Sequence, residues 1–212
     1  MGPTKLRFAA RMEDLRASDI REILKVTQQP DIISCAGGLP ASELLPAAEM
    51  ALVARDVLTE DGVRALQYAP TEGLEELRSL IADRLRSLWG LGCAKGEVLV
   101  VSGSQQALDL TGKIFLDDGD VVLCESPTYL GAINAFRAYR PQFVEVPTDD
   151  DGMVPAELEQ RLGSLDRVKF IYVVPDFQNP SGRRWSIDRR RQLAELAGRF
   201  GVPVIEDAPY AE

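Results

Sequence analysis

The chain contains no histidine among its 212 residues, and so lacks the imidazole that most zinc sites use. Cysteine is nearly as scarce. Cys35, Cys93 and Cys124 are odd in number and form no CxxC pair, which argues against both a metal site and a disulfide framework. Reduced, mostly buried thiols in a cytoplasmic protein are the expectation. Positive charge is in deficit, with 24 Lys and Arg against 33 Asp and Glu, a net charge of -9. Nucleic acid and anionic membranes need clustered positive charge, so neither is the expected partner. The one basic cluster, Arg183, Arg184, Arg189, Arg190 and Arg191, opens a predicted helix and reads as a solvated face. No apolar run approaches the ~18 residues of a membrane helix, and no apolar segment at the N-terminus resembles a signal peptide. Low-complexity tracts and internal repeats are absent. What remains is 45% apolar residues, ordinary for a globular protein and sufficient for a sizeable core.

The apolar pattern predicts helices over 18–27, 47–58 and 74–88, the last with Leu77, Leu80, Ile81, Leu85 and Leu88 on one side. From there strands and helices alternate. Strands are expected at 98–101, 121–124, 142–146, 168–174 and 202–205, and helices at 105–116, 129–138, 155–162 and 188–200. This rhythm implies an α/β fold, a mainly parallel sheet with helices on both faces. The expected division is an N-terminal arm and first helix at 1–46, followed by a large domain at 47–212. The acidic runs Asp117, Asp118, Gly119, Asp120 and Asp149, Asp150, Asp151, Gly152 lack the ligand spacing of a calcium loop and read as turns.

Several polar residues fall just beyond predicted strands, where open α/β sheets bind ligands. Ser102, Gly103, Ser104 and Gln105 join a strand to a helix, and their N–H groups with the helix dipole make a phosphate seat. Ser104 also reads as a plain helix cap. Tyr129 opens the next helix, either lying over a flat heteroaromatic ring or buried as core. Asn179 stands in a proline-flanked loop 28 residues before Asp207. Asp207 ends an apolar strand, where a carboxylate is costly unless it meets a cation or a donor. A protonated pyridinium nitrogen would serve, with Asn179 and Tyr210 within reach of a neighbouring phenolate oxygen.

These segments resemble the class I/II, fold-type I pyridoxal-phosphate aminotransferases, in particular the α-aminoadipate, kynurenine and 2-oxoglutarate aminotransferase-like subgroup. The resemblance rests on Ala17-Ser18-Asp19-Ile20-Arg21-Glu22, Ala36-Gly37-Gly38-Leu39-Pro40, Leu66-Gln67-Tyr68, Pro70-Thr71-Glu72-Gly73, Gly103-Ser104-Gln105-Gln106-Ala107-Leu108, Pro127-Thr128-Tyr129, Gln178-Asn179-Pro180-Ser181-Gly182 and Glu206-Asp207 with Tyr210. Together they span nearly the whole chain in the family's order. The resemblance implies that Ser104 and Gln105 hold the cofactor phosphate, Tyr129 stacks on its ring, Asn179 and Tyr210 bond the ring hydroxyl, and Asp207 pairs with the ring nitrogen. Tyr68 is expected to reach the phosphate of a neighbouring subunit in a homodimer. Gly38, Arg21 and Asn179 are expected on the substrate side, Arg21 holding a side-chain carboxylate or, alternatively, pairing on the surface with Glu22 or Glu13.

By this resemblance the chain is the N-terminal part of an enzyme that passes an amino group from an amino acid to a 2-oxo acid, with 2-oxoglutarate the expected acceptor. The family's Schiff-base lysine is expected beyond Glu212. None of Lys5, Lys25, Lys95, Lys113 and Lys169 follows the required strand end, so the 212 residues alone are expected to be inactive. An effector-binding domain of a transcriptional regulator is one alternative, disfavoured by the lack of a basic helix-turn-helix segment before residue 17. A lyase or decarboxylase on the same scaffold is another. The family's strand order also predicts a gap of two strands between 98–101 and 168–174, with exposed apolar helix surface around it and aggregation or partial melting of the isolated chain.

Overall fold

A computed structural model describes residues 7–12, 32 and 40–211. The expected first helix at 18–27, with Arg21, and the Gly38 segment lie outside these residues. The chain divides into two compact units, residues 17–101 and residues 1–16 with 102–212. The sequence places its boundary at residue 46; the structure groups the helices at 47–65 and 75–89 with the first unit and those beyond residue 102 with the sheet.

In the first unit, α1 (Ala47–Ala65) runs past the expected end at residue 58, with a non-helical Asp61 inside it. Helix α2 (Glu75–Trp89) ends on Gly90 in the left-handed conformation, the usual way to close the last carbonyls. The segment at 98–101 is extended at Val98, yet it pairs with no strand among the described residues. A strand is defined by its ladder partner, and apolar content alone cannot supply one. What holds this segment is local. The Val100 N–H donates to Glu72 O at 3.0 Å, and a Cβ on Gly73 would meet the Val100 side chain at 2.6 Å.

The second unit is built on a five-stranded sheet in the order β3-β2-β1-β4-β5. The strands are β1 (Val121–Ser126), β2 (Gln142–Asp149), β3 (Gly152–Met153), β4 (Val168–Val173) and β5 (Val204–Glu206). Strands β2, β1, β4 and β5 are parallel, and β3 folds back antiparallel on β2 through the acidic turn ending at Gly152. The expected gap beside 168–174 is not there. Strand β4 pairs with β1 on one side and β5 on the other, so any opening in the sheet lies beyond β5.

Side chains on a strand alternate between faces, and here they sort into two cores. Val121, Leu123, Ile171 and Val173 pack with Leu158 and Leu162 of α5 (Pro155–Ser164) and with Leu193, Leu196 and Ala197 of α6 (Ile187–Phe200). Val122, Phe170 and Tyr172 pack on the other face, with Leu108 of α3 (Ser104–Phe115) and with Ala132, Ala135 and Phe136 of α4 (Leu130–Arg137). Phe136 meets Phe170 and Tyr172 edge-to-face at 5.1 and 5.8 Å, a geometry that aromatic quadrupoles favour. Helix α6 starts at Ser186, whose hydroxyl accepts the Arg189 N–H, and stops at Gly201 with φ 66°.

Two charged features of this unit are structural. Asp120 is fully buried where β1 begins. Burial pushes its carboxyl up, but the Asp117 backbone, Lys169 and Arg167 outweigh burial and hold it below the usual range. The basic cluster is tied down rather than free. Arg183 pairs with Asp150, Arg184 and Arg190 with Asp176, Arg189 with Asp149, and Arg191 with Asp188. Among the described residues no helix is long and apolar enough to cross a membrane.

Candidate functional site

Parallel strands align their carboxyl ends, so the residues after β1, β4 and β5 share one edge of the sheet. Ser126 to Tyr129, the loop at 174–186 and Asp207 to Tyr210 all leave from that edge. Helix α3 runs into β1 through a short turn, which returns its N-terminus, Ser104, toward the same edge. Gly103 is its cap residue, with φ 85°, and no side chain caps this end. Ser104 is therefore the first helical residue rather than the cap. Gln106 reaches back instead, accepting the Ser102 N–H at 2.6 Å. Ser104 and Gln105 are exposed at a helix start whose N–H groups favour an anion.

Hydrogen bonds stitch these segments together. The Gln105 side chain donates to Gly131 O at 3.1 Å, linking the start of α3 to the start of α4. Tyr129 precedes α4 and lies against Gly131 so closely that a Cβ there would come within 2.4 Å of the ring. Gln178 Nε2 donates to Pro127 O at 2.8 Å, joining the loop that carries Asn179 to the segment that carries Tyr129. Tyr172, buried in β4, donates its hydroxyl to Asp207 Oδ2 at 2.7 Å, and the Asp207 N–H bonds Val173 O at 2.9 Å. Burial first, then the Asp207 charge and the bond to it, raise the Tyr172 phenol above its ordinary value, so it stays a donor. Asn179 is exposed on its loop, and Tyr210 is about half exposed. Tyr68 belongs to the other unit and is 99% exposed.

Three residues of this edge were not singled out from the sequence. Tyr172 reads there as one more apolar strand residue. Glu125 falls just past the strand expected at 121–124, and it is buried. Burial pushes its carboxyl up to about 7, against donors from Val174, Trp185 and Gln178 that pull the other way. Asp176 is buried too, and Arg190 and Arg184 overcome that burial to hold it below the usual carboxylate range. Thr128 Oγ1, beside Tyr129, is buried with no hydrogen-bond partner among the described residues. Cys124 is also buried, chiefly by which its thiol is pushed up to about 12, leaving it inert.

Comparison with known proteins gives the family and the fold. The family model for aminotransferase class I and II matches residues 36–212, and the chain belongs to that family. It is 41% identical over 209 residues to aromatic-amino-acid aminotransferase 1 of Thermococcus litoralis, covering 97% of this chain and 50% of that protein. It is 47% identical over 198 residues to a 2-aminoadipate transaminase of Thermus thermophilus, covering 93% and 48%. The crystal structure of Pyrococcus horikoshii kynurenine aminotransferase, in complex with PMP, is similar with a TM-score of 0.89 at 40% identity, over 95% of this chain and 51% of that one. The architecture is that of fold-type I aminotransferases, and the chain spans about half the length of the relatives it matches.

Proposed function

We propose that the edge formed by Ser104, Gln105, Tyr129, Asn179, Asp207 and Tyr210 is the pyridoxal 5'-phosphate site of an aminotransferase. The enzyme moves an amino group from an amino acid to a 2-oxo acid, with 2-oxoglutarate as acceptor. The observation that carries this reading is Asp207, a half-buried carboxylate at a strand end whose neighbour Tyr172 satisfies only part of its acceptor capacity. A protonated ring nitrogen fits the remainder. The uncapped start of α3 fits a phosphate, and the unpartnered Thr128 hydroxyl marks a polar group beside Tyr129 that the protein itself leaves unsatisfied.

When bound, pyridoxal phosphate would supply an electron-withdrawing ring, an electron sink for the substrate Cα. The chain's own residues bind and orient it. Asp207 holds the proton on the ring nitrogen, and Tyr172 keeps the Asp207 carboxylate in place. Tyr129 covers a ring face, Asn179 and Tyr210 donate to the ring oxygen, and Ser104 and Gln105 anchor the phosphate. Tyr68 reaches the phosphate of a second copy; its near-complete exposure, and that of the apolar Leu66, Met50 and Val53 in the same unit, suits a homodimer. Arg21 and Gly38 are assigned to the substrate side, Arg21 to a side-chain carboxylate.

The amine that would hold the cofactor covalently is not found among the described lysines. Lys95 pairs with Glu75 and Lys169 with Asp120, where β1 begins, and Lys113 lies in the last turn of α3, opposite Ser104. These 212 residues by themselves are therefore expected to bind and orient without turning over. Asp207→Asn in the full-length protein tests the reading. Cofactor affinity should fall about tenfold or more for loss of a charged hydrogen bond. Unchanged affinity and absorption would sink it.

A further inference from the structure

The loop at 174–186 carries Asn179, and it is long and irregular, so something must fix where Asn179 stands. Glu125 does so from outside the loop. It sits near the end of β1 with 2% of its surface exposed. Its Oε2 accepts the Val174 N–H at 2.8 Å, at the loop's entry. Its Oε1 accepts Trp185 Nε1–H at 2.9 Å, at the loop's exit. Between these two points lies Gln178, next to Asn179, whose side chain donates to Pro127 O at 2.8 Å. Gln178 then organises the turn itself, accepting the Ser181 N–H on its side-chain oxygen at 2.7 Å and donating its own N–H to Arg183 O at 2.8 Å. One carboxylate thus ties the loop's entry to its exit, around the turn that Gln178 organises.

We propose that Glu125 is a positioning residue for cofactor binding: anchored on β1, it grips the loop at both ends and sets the place of Asn179. This rests on the assignment of Asn179 in the preceding section. The partners of Glu125 are N–H donors, and a buried carboxylate accepting several of them is a rigid junction. The ionisable groups around it are Cys124 on the same strand, Tyr172 on β4, and Asp176 in the loop, already occupied by Arg184 and Arg190. Glu145 on β2 accepts the Ser126 hydroxyl. Trp185 cannot drift to compensate, because its ring lies against Gly152 so tightly that a Cβ there would meet it at 2.4 Å.

The test uses Glu125→Gln, Trp185→Phe and the double variant in the full-length protein, read by amide hydrogen exchange. The reporters are the Gln178 and Ser181 amides, which do not touch Glu125, with the Ile171 amide of the sheet as control. Gln offers one acceptor and an NH2 to a site of donors, so a donor is left unmatched. Exchange at the reporters should speed up about tenfold or more while Ile171 holds. Trp185→Phe removes the mismatched donor and should recover part of that loss in the Gln background, a non-additive result that packing alone would not produce. Pyridoxal phosphate affinity should fall with reporter protection. If Glu125→Gln does not accumulate, Trp185→Phe alone should still loosen the reporters a few-fold (about the cost of one unmatched acceptor). Reporter rates equal to wild type, or an equal acceleration at Ile171, would overturn the grip. Loosened reporters with unchanged affinity would overturn its link to the cofactor. A separate Asn179→Ala variant with unchanged affinity would instead overturn the assignment of Asn179.

Discussion

Glu125 makes a pH prediction that is read as the difference between wild type and Glu125→Gln. Its ordinary value is 4.5 and burial pushes it up to about 7. A carboxyl raised on folding binds a proton more tightly in the folded than in the unfolded chain. Its stabilising contribution is therefore fully present below 4.5 and is lost as pH rises through about 7. Between pH 5 and pH 8 the loss comes to about 2.5 kcal/mol by the linkage relation. The other shifted carboxyls among the described residues fall outside this window. Asp120, Asp149 and Asp176 are held below their ordinary 3.8, so their contribution is lost only as pH falls beneath it. The Cys124 thiol lies far above, near 12. The assay is urea unfolding of the full-length protein at pH 5, 6, 7 and 8. Wild type should lose roughly 1–2.5 M more in midpoint across the series than Glu125→Gln, which cannot titrate at this position, for a urea slope of about 1–3 kcal/mol/M. A slope in Glu125→Gln equal to that of wild type would refute the assignment of this pH dependence to Glu125.

Tyr172→Phe keeps the ring packed on Phe136 and removes only the donor to Asp207, so stability should drop by about 1.5 kcal/mol or more, read by urea midpoint; no change would mean the bond is not made in solution. Gly131→Ala should weaken pyridoxal phosphate binding about tenfold by displacing Tyr129, while the helix gains about 1 kcal/mol in propensity and melting changes little. Arg190→Met removes one of two cations from the buried Asp176 and should cost about 3 kcal/mol, moving acid unfolding to higher pH; an unmoved acid midpoint would show that Arg184 suffices.

Much of this molecule is written along the chain in local terms. Gly90 and Gly201 stop helices, Pro155 starts one, and the alternation of Val121, Val122, Leu123 in β1 and of Phe170, Ile171, Tyr172 in β4 assigns each residue to a face. The motifs around Ser104, Tyr129, Asn179 and Asp207 were legible for the same reason: short spacing keeps each at the end of its own strand or the start of its own helix. Pairing was not legible, because a ladder joins residues far apart in sequence. The stretch at 98–101 has a strand's composition but no partner among the described residues, and β5 occupies the side of β4 where the sequence led us to expect an opening. Burial of charge was equally hidden. Glu125 lies 49 and 60 residues from Val174 and Trp185, and Tyr172 lies 35 from Asp207, so only the folded sheet brings donor and acceptor together. Sequence determined which groups stand at the sheet's edge; tertiary structure decided what holds them there, since burial and hydrogen bonding depend on neighbours that the chain order does not reveal.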